Sequence, residues 1–251
     1  MLPELILTII VIAFVMEFID AFAGMGFGIV TPILVLMGYS PHEVVFAVLV
    51  NSAILSLSAG IFHHIFKNVR FTKKSKSSKI SKLLVLFGLF SILLGVIIAV
   101  EISDTVLKAY IGAIFIIMGF VLLFMHKLKL KFSWKKLIGI GSFASINKGI
   151  TGGGFGPVLT AGQIISGVKV KNAVGISSLV EGIISTAGVF FYLLLAKLEY
   201  LNWSLMISLM IGGLASTPLA AFTVKKIQPK GLKLTMAIFC IILGILTILK
   251  I

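Results

Sequence analysis

The sequence predicts an all-α integral membrane protein of two inverted-topology repeats, and three observations carry that prediction. Hydrophobic residues make up 59% of the 251-residue chain and charged residues only 12%, against about 25% charged in an ordinary soluble domain. The apolar residues gather into stretches of membrane-spanning length. The basic residues, 22 against 8 acids for a net charge of +14, fall in short runs between those stretches. In a soluble protein such an excess suggests nucleic acid. Placed this way it is a topology signal, so the expected surroundings are a lipid bilayer and no nucleic acid.

A helix rising about 1.5 Å per residue needs about 20 apolar residues to cross about 30 Å of hydrocarbon. The first apolar segment, 4–38, is too long for one crossing and is interrupted by Gly24-Met25-Gly26-Phe27-Gly28. It reads as a broken or re-entrant hairpin. Leu5 to Met16 followed by Ala21-Phe22-Ala23 resembles a signal peptide and its cleavage site. No Lys or Arg precedes that run, however, and Glu4, Glu17 and Asp20 lie close by, so a retained first helix is expected. Three single spans follow at 44–66, 83–101 and 105–126. A second overlong segment, 137–167, breaks at Gly152-Gly153-Gly154-Phe155-Gly156, and three more single spans follow at 172–195, 203–223 and 231–250. Cys240, alone of its kind, is expected to pack as a small hydrophobe. Trp134 and Trp203 are expected at the membrane interfaces.

Orientation follows from the excess of Lys and Arg on the cytoplasmic side. Segments 67–82, 127–136, 169–171 and 224–231 hold seventeen of the 22 basic residues and no acid, whereas the intervening connections carry Glu43, Glu101, Asp104 and Glu199. With the basic segments cytoplasmic, 137–167 leaves and re-enters the cytoplasmic side, 4–38 does the same from outside, and both termini are external. The chain is then one membrane domain, 1–251, whose halves 1–126 and 127–251 have opposite topology. The glycine clusters agree independently, because Gly24, Gly26, Phe27 and Gly28 match Gly152, Gly154, Phe155 and Gly156 at a constant offset of 128. Inverted repeats with interrupted helices at corresponding positions are a signature of secondary transporters. The plainer alternative is that the glycines only let helices pack closely.

Irregular backbone at membrane depth must be buried in protein or line a wet cavity. Helices starting after Gly28 and Gly156 would aim their N-termini, with free N–H groups, at the protein centre, a setting suited to a small anion. The candidate binding residues are therefore Gly24, Gly26, Gly28, Asn147, Lys148, Thr151, Gly152, Gly153, Gly154 and Gly156, with Pro157 tolerated in a first helical turn. A nucleotide reading fails because no strand precedes the glycines and no Lys-Ser/Thr or acidic partner follows. Four ionisable residues fall inside spans: Glu17, Asp20, Lys148 and Glu181. Such charges are costly there and either functional or paired. Asp20 and Lys148 occupy equivalent positions and are expected to face each other, as a structural pair or as a gate. In the functional version Lys148 attracts the anion, and Glu17, Asp20 and Glu181 are coupling or gating candidates. Thr31, Thr160, Gln163, Asn51, Ser177 and Ser178 are weaker cavity candidates. His63 and His64 are expected near the interface, and no metal or cofactor is expected.

The paired segments Phe18–Pro32 and Asn147–Pro157, with Ala173-Val-Gly-Ile-Ser-Ser178, resemble the sulfite exporter TauE/SafE family of permeases, over nearly the whole chain. That resemblance implies export of sulfite or a small organosulfur anion, driven by the proton gradient, with the glycine motifs at the substrate site. A passive anion channel of the same architecture is the competing reading. A membrane enzyme is not expected, since the spans hold no Ser/His/Asp set, no HExxH and no aspartate pair suited to proteolysis.

Overall fold

In the first segment α1 (Leu7–Ala23) stops at Gly24, whose φ of +71° is the left-handed C-cap conformation that favours glycine; its N–H returns to the Asp20 carbonyl. A short 3₁₀ turn, Phe27–Ile29, leads into α2 (Val30–Leu36). The second segment repeats the device. There α6 (Trp134–Thr151) stops at Gly152 with φ +67°, and α7 (Phe155–Ile165) starts after Gly154 with φ +71°. Both overlong segments are therefore broken hairpins, as their lengths required. This computed structural model describes residues 6–24, 27–124, 132–196, 200–226 and 232–251, and among them the chain is helical with no strand. Gly26, Glu4, Glu199, residues 127–131 of the second basic segment and 227–231 of the fourth lie outside the described residues.

The six single spans appear as α3 (Pro41–Ile65), α4 (Lys76–Glu101), α5 (Asp104–Phe124), α8 (Val170–Leu195), α9 (Trp203–Lys226) and α10 (Leu232–Leu249). All but α10 are long and apolar enough to cross a membrane alone. Helix α4 starts seven residues before the expected 83. Hydropathy reports where apolar residues begin, but Ser75 caps the helix earlier by accepting the Ser78 N–H at 3.1 Å.

Packing pairs α1 with α9, α4 with α6, α3 with α8 and α5 with α10, and lays α4 on α8 and α3 on α9. Exchanging α1–α5 for α6–α10 carries this set onto itself: α1–α9 becomes α6–α4, α3–α9 becomes α8–α4, and the α3–α8 and α5–α10 pairs become themselves. Small residues permit the close crossings that dispersion needs where lipid offers no hydrophobic driving force. A methyl group on Gly244 would lie 2.6 Å from the Gly112 carbonyl oxygen, and one on Gly149 would lie 2.7 Å from that of Ile92. Large apolar side chains such as Phe90, Leu94, Phe190 and Leu219 remain exposed on the outer faces, where lipid covers them. Trp134 and Trp203 are exposed in the first turns of α6 and α9.

The described parts of the four basic segments meet at one end of the bundle. Lys171 donates to the Lys225 carbonyl at 2.8 Å, the Lys76 ammonium lies 3.8 Å from the centre of the Phe132 ring, and Lys76 and Lys169 line one cleft. Contacts at the other end join the start of α1, the α2–α3 turn, the α4–α5 turn and the C-terminus. Ile6 N–H donates to Ser208, Ser40 and His42 bond to Asp104, and Lys250 donates to the Leu36 carbonyl at 2.6 Å.

Candidate functional site

The two hairpin breaks touch. A methyl group on Gly28 would overlap the Gly154 amide nitrogen, and one on Gly153 would overlap the Gly28 carbonyl. A methyl on Gly156 would meet the Gly24 carbonyl at 2.5 Å and Asp20 Oδ1 at 3.1 Å, and one on Gly24 would meet Thr160 Oγ1 at 2.5 Å. The missing side chains thus let the backbones of the two hairpins pack directly. Thr151 ties its own break together: its hydroxyl donates to the Asn147 carbonyl at 2.9 Å and accepts the Gly153 N–H at 3.2 Å. Its carbonyl accepts the Thr31 hydroxyl at 3.0 Å, joining hairpin to hairpin.

Beside this junction the buried charges collect. Lys148, one turn before the α6 break, has no exposed surface; its Nζ donates to Glu181 Oε1 of α8 and to Ser52 Oγ of α3, each at 2.7 Å. Burying an ammonium is tolerable only with such partners. Helix α8 packs against α6 here, so the lysine reaches Glu181, and Asp20 lies against Gly156 in the first turn of α7. A carboxylate at a helix N-terminus interacts favourably with the helix dipole. Glu181, without a neighbour in sequence to pair with, has its partner from another helix.

Glu17, one turn before Asp20 on α1, is fully buried. Thr217 of α9 donates to its Oε1 at 3.5 Å, while Oε2 has no hydrogen-bond partner among the described residues. The Glu17 carboxyl also interacts electrostatically with Asp20, Glu181 and Lys148. The four ionisable residues therefore share one buried region, within which Lys148 and Glu181 are in direct contact.

Asn147 turns toward α5: Tyr110 donates to its Oδ1 at 2.5 Å and its amide donates to the Phe143 carbonyl at 3.0 Å. Among the weaker candidates, Thr160 and Gln163 both donate to Ser177 Oγ, at 2.8 and 2.9 Å. Asn51 donates to Ala47 and Met206 carbonyls, linking α3 to α9, and Ser178 donates back to Val174 within α8. His63 departs from expectation. It is fully buried, its Nε2 donates to the Ala21 carbonyl at 2.8 Å, and its Nδ1 accepts from Asn68, which also donates to Ala221. A side chain one turn from a helix end is interfacial only if its face is free, and this face is covered by α1 and α9. His64 is exposed. Ser52 and Thr217 escaped sequence reasoning because a hydroxyl inside a span is common and carries no signal of its partner.

Membrane-length helices around two broken hairpins, with a charged cluster buried at the junction, define a polytopic membrane transporter. Residues 9–247 match the family model described as Sulfite exporter TauE/SafE, and the chain belongs to that family. It is 28% identical over 259 residues to the probable membrane transporter protein YtnM of Bacillus subtilis (strain 168), covering 96% of this chain and 83% of that protein. The chain is a membrane transporter and not an enzyme.

Proposed function

We propose that the protein moves a small anion, sulfite or a small organosulfonate, by alternating access of two inverted repeats, 1–126 and 127–251, with coupling to protons. The observation that carries this reading is the buried Lys148–Glu181 pair at the junction of two broken helices. An anion at Lys148 competes with the Glu181 carboxylate, and a proton on Glu181 removes the competitor. Anion and proton binding are linked in this way, and Glu17, whose Oε2 lacks a partner, and Asp20 supply further protonatable or gating groups beside it. Parting of the glycine contacts would present the N–H groups of residues 154–156 and of Phe27 and Gly28 to the substrate, with Thr151 and Asn147 at its edge.

Support for the repeat comes from the packing set, which is unchanged when the halves are exchanged, and from the matching left-handed glycines Gly24 and Gly152. Gathering of the basic segments at one end supports a cytoplasmic position for 67–82, 127–136, 169–171 and 224–231, with both termini external. The family's description supports sulfite or a related anion as cargo and export as the direction.

The test is flux in proteoliposomes for sulfite, sulfate, thiosulfate and small sulfonates, with and without an imposed pH difference. Saturable sulfite or sulfonate flux that responds to the pH difference is expected. Flux indifferent to it marks a passive channel, and absence of flux for every anion overturns the anion site.

A further inference from the structure

The turn between α7 and α8 borders a cleft of about 200 Å³, lined by Lys76 and Ser77 of α4, Gly167 and Lys169 of the turn, and Asn172 and Ile176 of α8. Two lysines, Lys76 and Lys169, are part of its wall. Two 26-residue helices, α4 and α8, also begin there and add the positive partial charge of their N-terminal turns.

Inward from the cleft the α7–α8 seam is polar rather than apolar. The Val168 N–H donates to the Gln163 carbonyl at 2.9 Å, so the turn that borders the cleft is tied to Gln163. The Gln163 amide and the Thr160 hydroxyl converge on Ser177 Oγ, and Thr160 in turn packs on Gly24 at the hairpin break. Gln163 Oε1 and Ser166 Oγ are fully buried without hydrogen-bond partners among the described residues. Leaving such a group unmatched costs about 1–3 kcal/mol, a cost that helix packing alone gives no reason to bear.

We infer that this seam is the passage between the basic cleft and the hairpin junction: Lys76 and Lys169 capture the anion, and Gln163, Ser166 and Ser177 line its way inward. The inference rests on the anion-transport reading above. The passage is closed in this conformation, since Thr160, Gln163 and Ser166 have no exposed surface, and it opens when α7 parts from α8. At the corresponding turn between α2 and α3, Ser40 and His42 bond to Asp104 and Lys250 donates to the Leu36 carbonyl, so basic groups there are matched to an acid or a carbonyl.

The passage is tested by labelling that needs no transport assay. Cys240 is the chain's one cysteine, so C240A provides the background for Asn172→Cys and Gln163→Cys. Each variant in phosphatidylcholine vesicles is reacted with sulfonatoethyl and with trimethylammonioethyl methanethiosulfonate, and the rates are normalised to those with 2-mercaptoethanol. The anionic reagent is expected to be favoured by about tenfold or more at both positions, as a cleft of one sign concentrates counter-ions. The preference should fall in K76Q/K169Q. Equal rates, preference for the cation, or an inert Gln163→Cys beside a reactive Asn172→Cys overturns the passage. Ser166→Cys replaces Gln163→Cys if the latter is not monodisperse. Anionic preference in a protein that moves no anion would sink the transport reading and leave the seam as an anion-accessible path. Normal flux with neutral labelling would sink the passage alone.

Discussion

Gly28 on the first hairpin break and Gly153 on the second meet backbone to backbone, so closely that a methyl group on Gly153 would overlap the Gly28 carbonyl. G28A and G153A should each lower the thermal midpoint in detergent and cut flux several-fold, because backbone cannot swing aside as a flexible side chain can. Gly139 is the control: nothing lies within 4 Å of its would-be methyl group, and G139A should leave flux unchanged and stabilise by about 0.5–1 kcal/mol. Wild-type behaviour of G28A would mean that the breaks are not in contact.

Removing one partner of a buried ion pair leaves a charge uncompensated. K148M and E181L should therefore each destabilise by about 3–5 kcal/mol, whereas K148M/E181L should be markedly less damaged than the sum of the two. A double-mutant cycle on thermal unfolding measures this. If Lys148 holds the anion, the double variant regains stability without regaining flux.

Glu17 is fully buried, with Oε2 unpartnered among the described residues, and electrostatically linked to Asp20, Glu181 and Lys148. E17Q preserves shape and removes the titratable proton. It should fold normally and still exchange anion across vesicle membranes, while losing the response to an imposed pH difference. An E17Q protein that keeps the full pH response would remove Glu17 from coupling.

Asn68 bridges His63 of α3 to the Ala221 carbonyl of α9, with His63 continuing to Ala21 of α1. N68A leaves the buried Ala221 acceptor and the His63 ring nitrogen unmatched. It should cost about 1–3 kcal/mol in thermal unfolding. N68D, which retains bulk but loses the donor, should behave like N68A.

Much of the architecture was legible in the sequence. Span length, the two glycine interruptions and the segregation of Lys and Arg are local properties, and local properties dictate where a helix can cross and where it must break. The left-handed φ at Gly24 and Gly152 could be anticipated because only glycine takes that conformation without strain. The family was legible for the same reason, since its motifs lie in those breaks. Which helix faces which was not legible. Nothing in the sequence paired Lys148 with Glu181 and Ser52; tertiary packing brings α8 and α3 against α6, so these two side chains receive the ammonium. His63 likewise had the sequence of an interfacial residue and became buried once α1 and α9 covered its face. A span's apolar pattern records that a residue leaves water. The partner it then finds depends on helix crossings set by small residues far apart in the chain, and only the assembled bundle decides them.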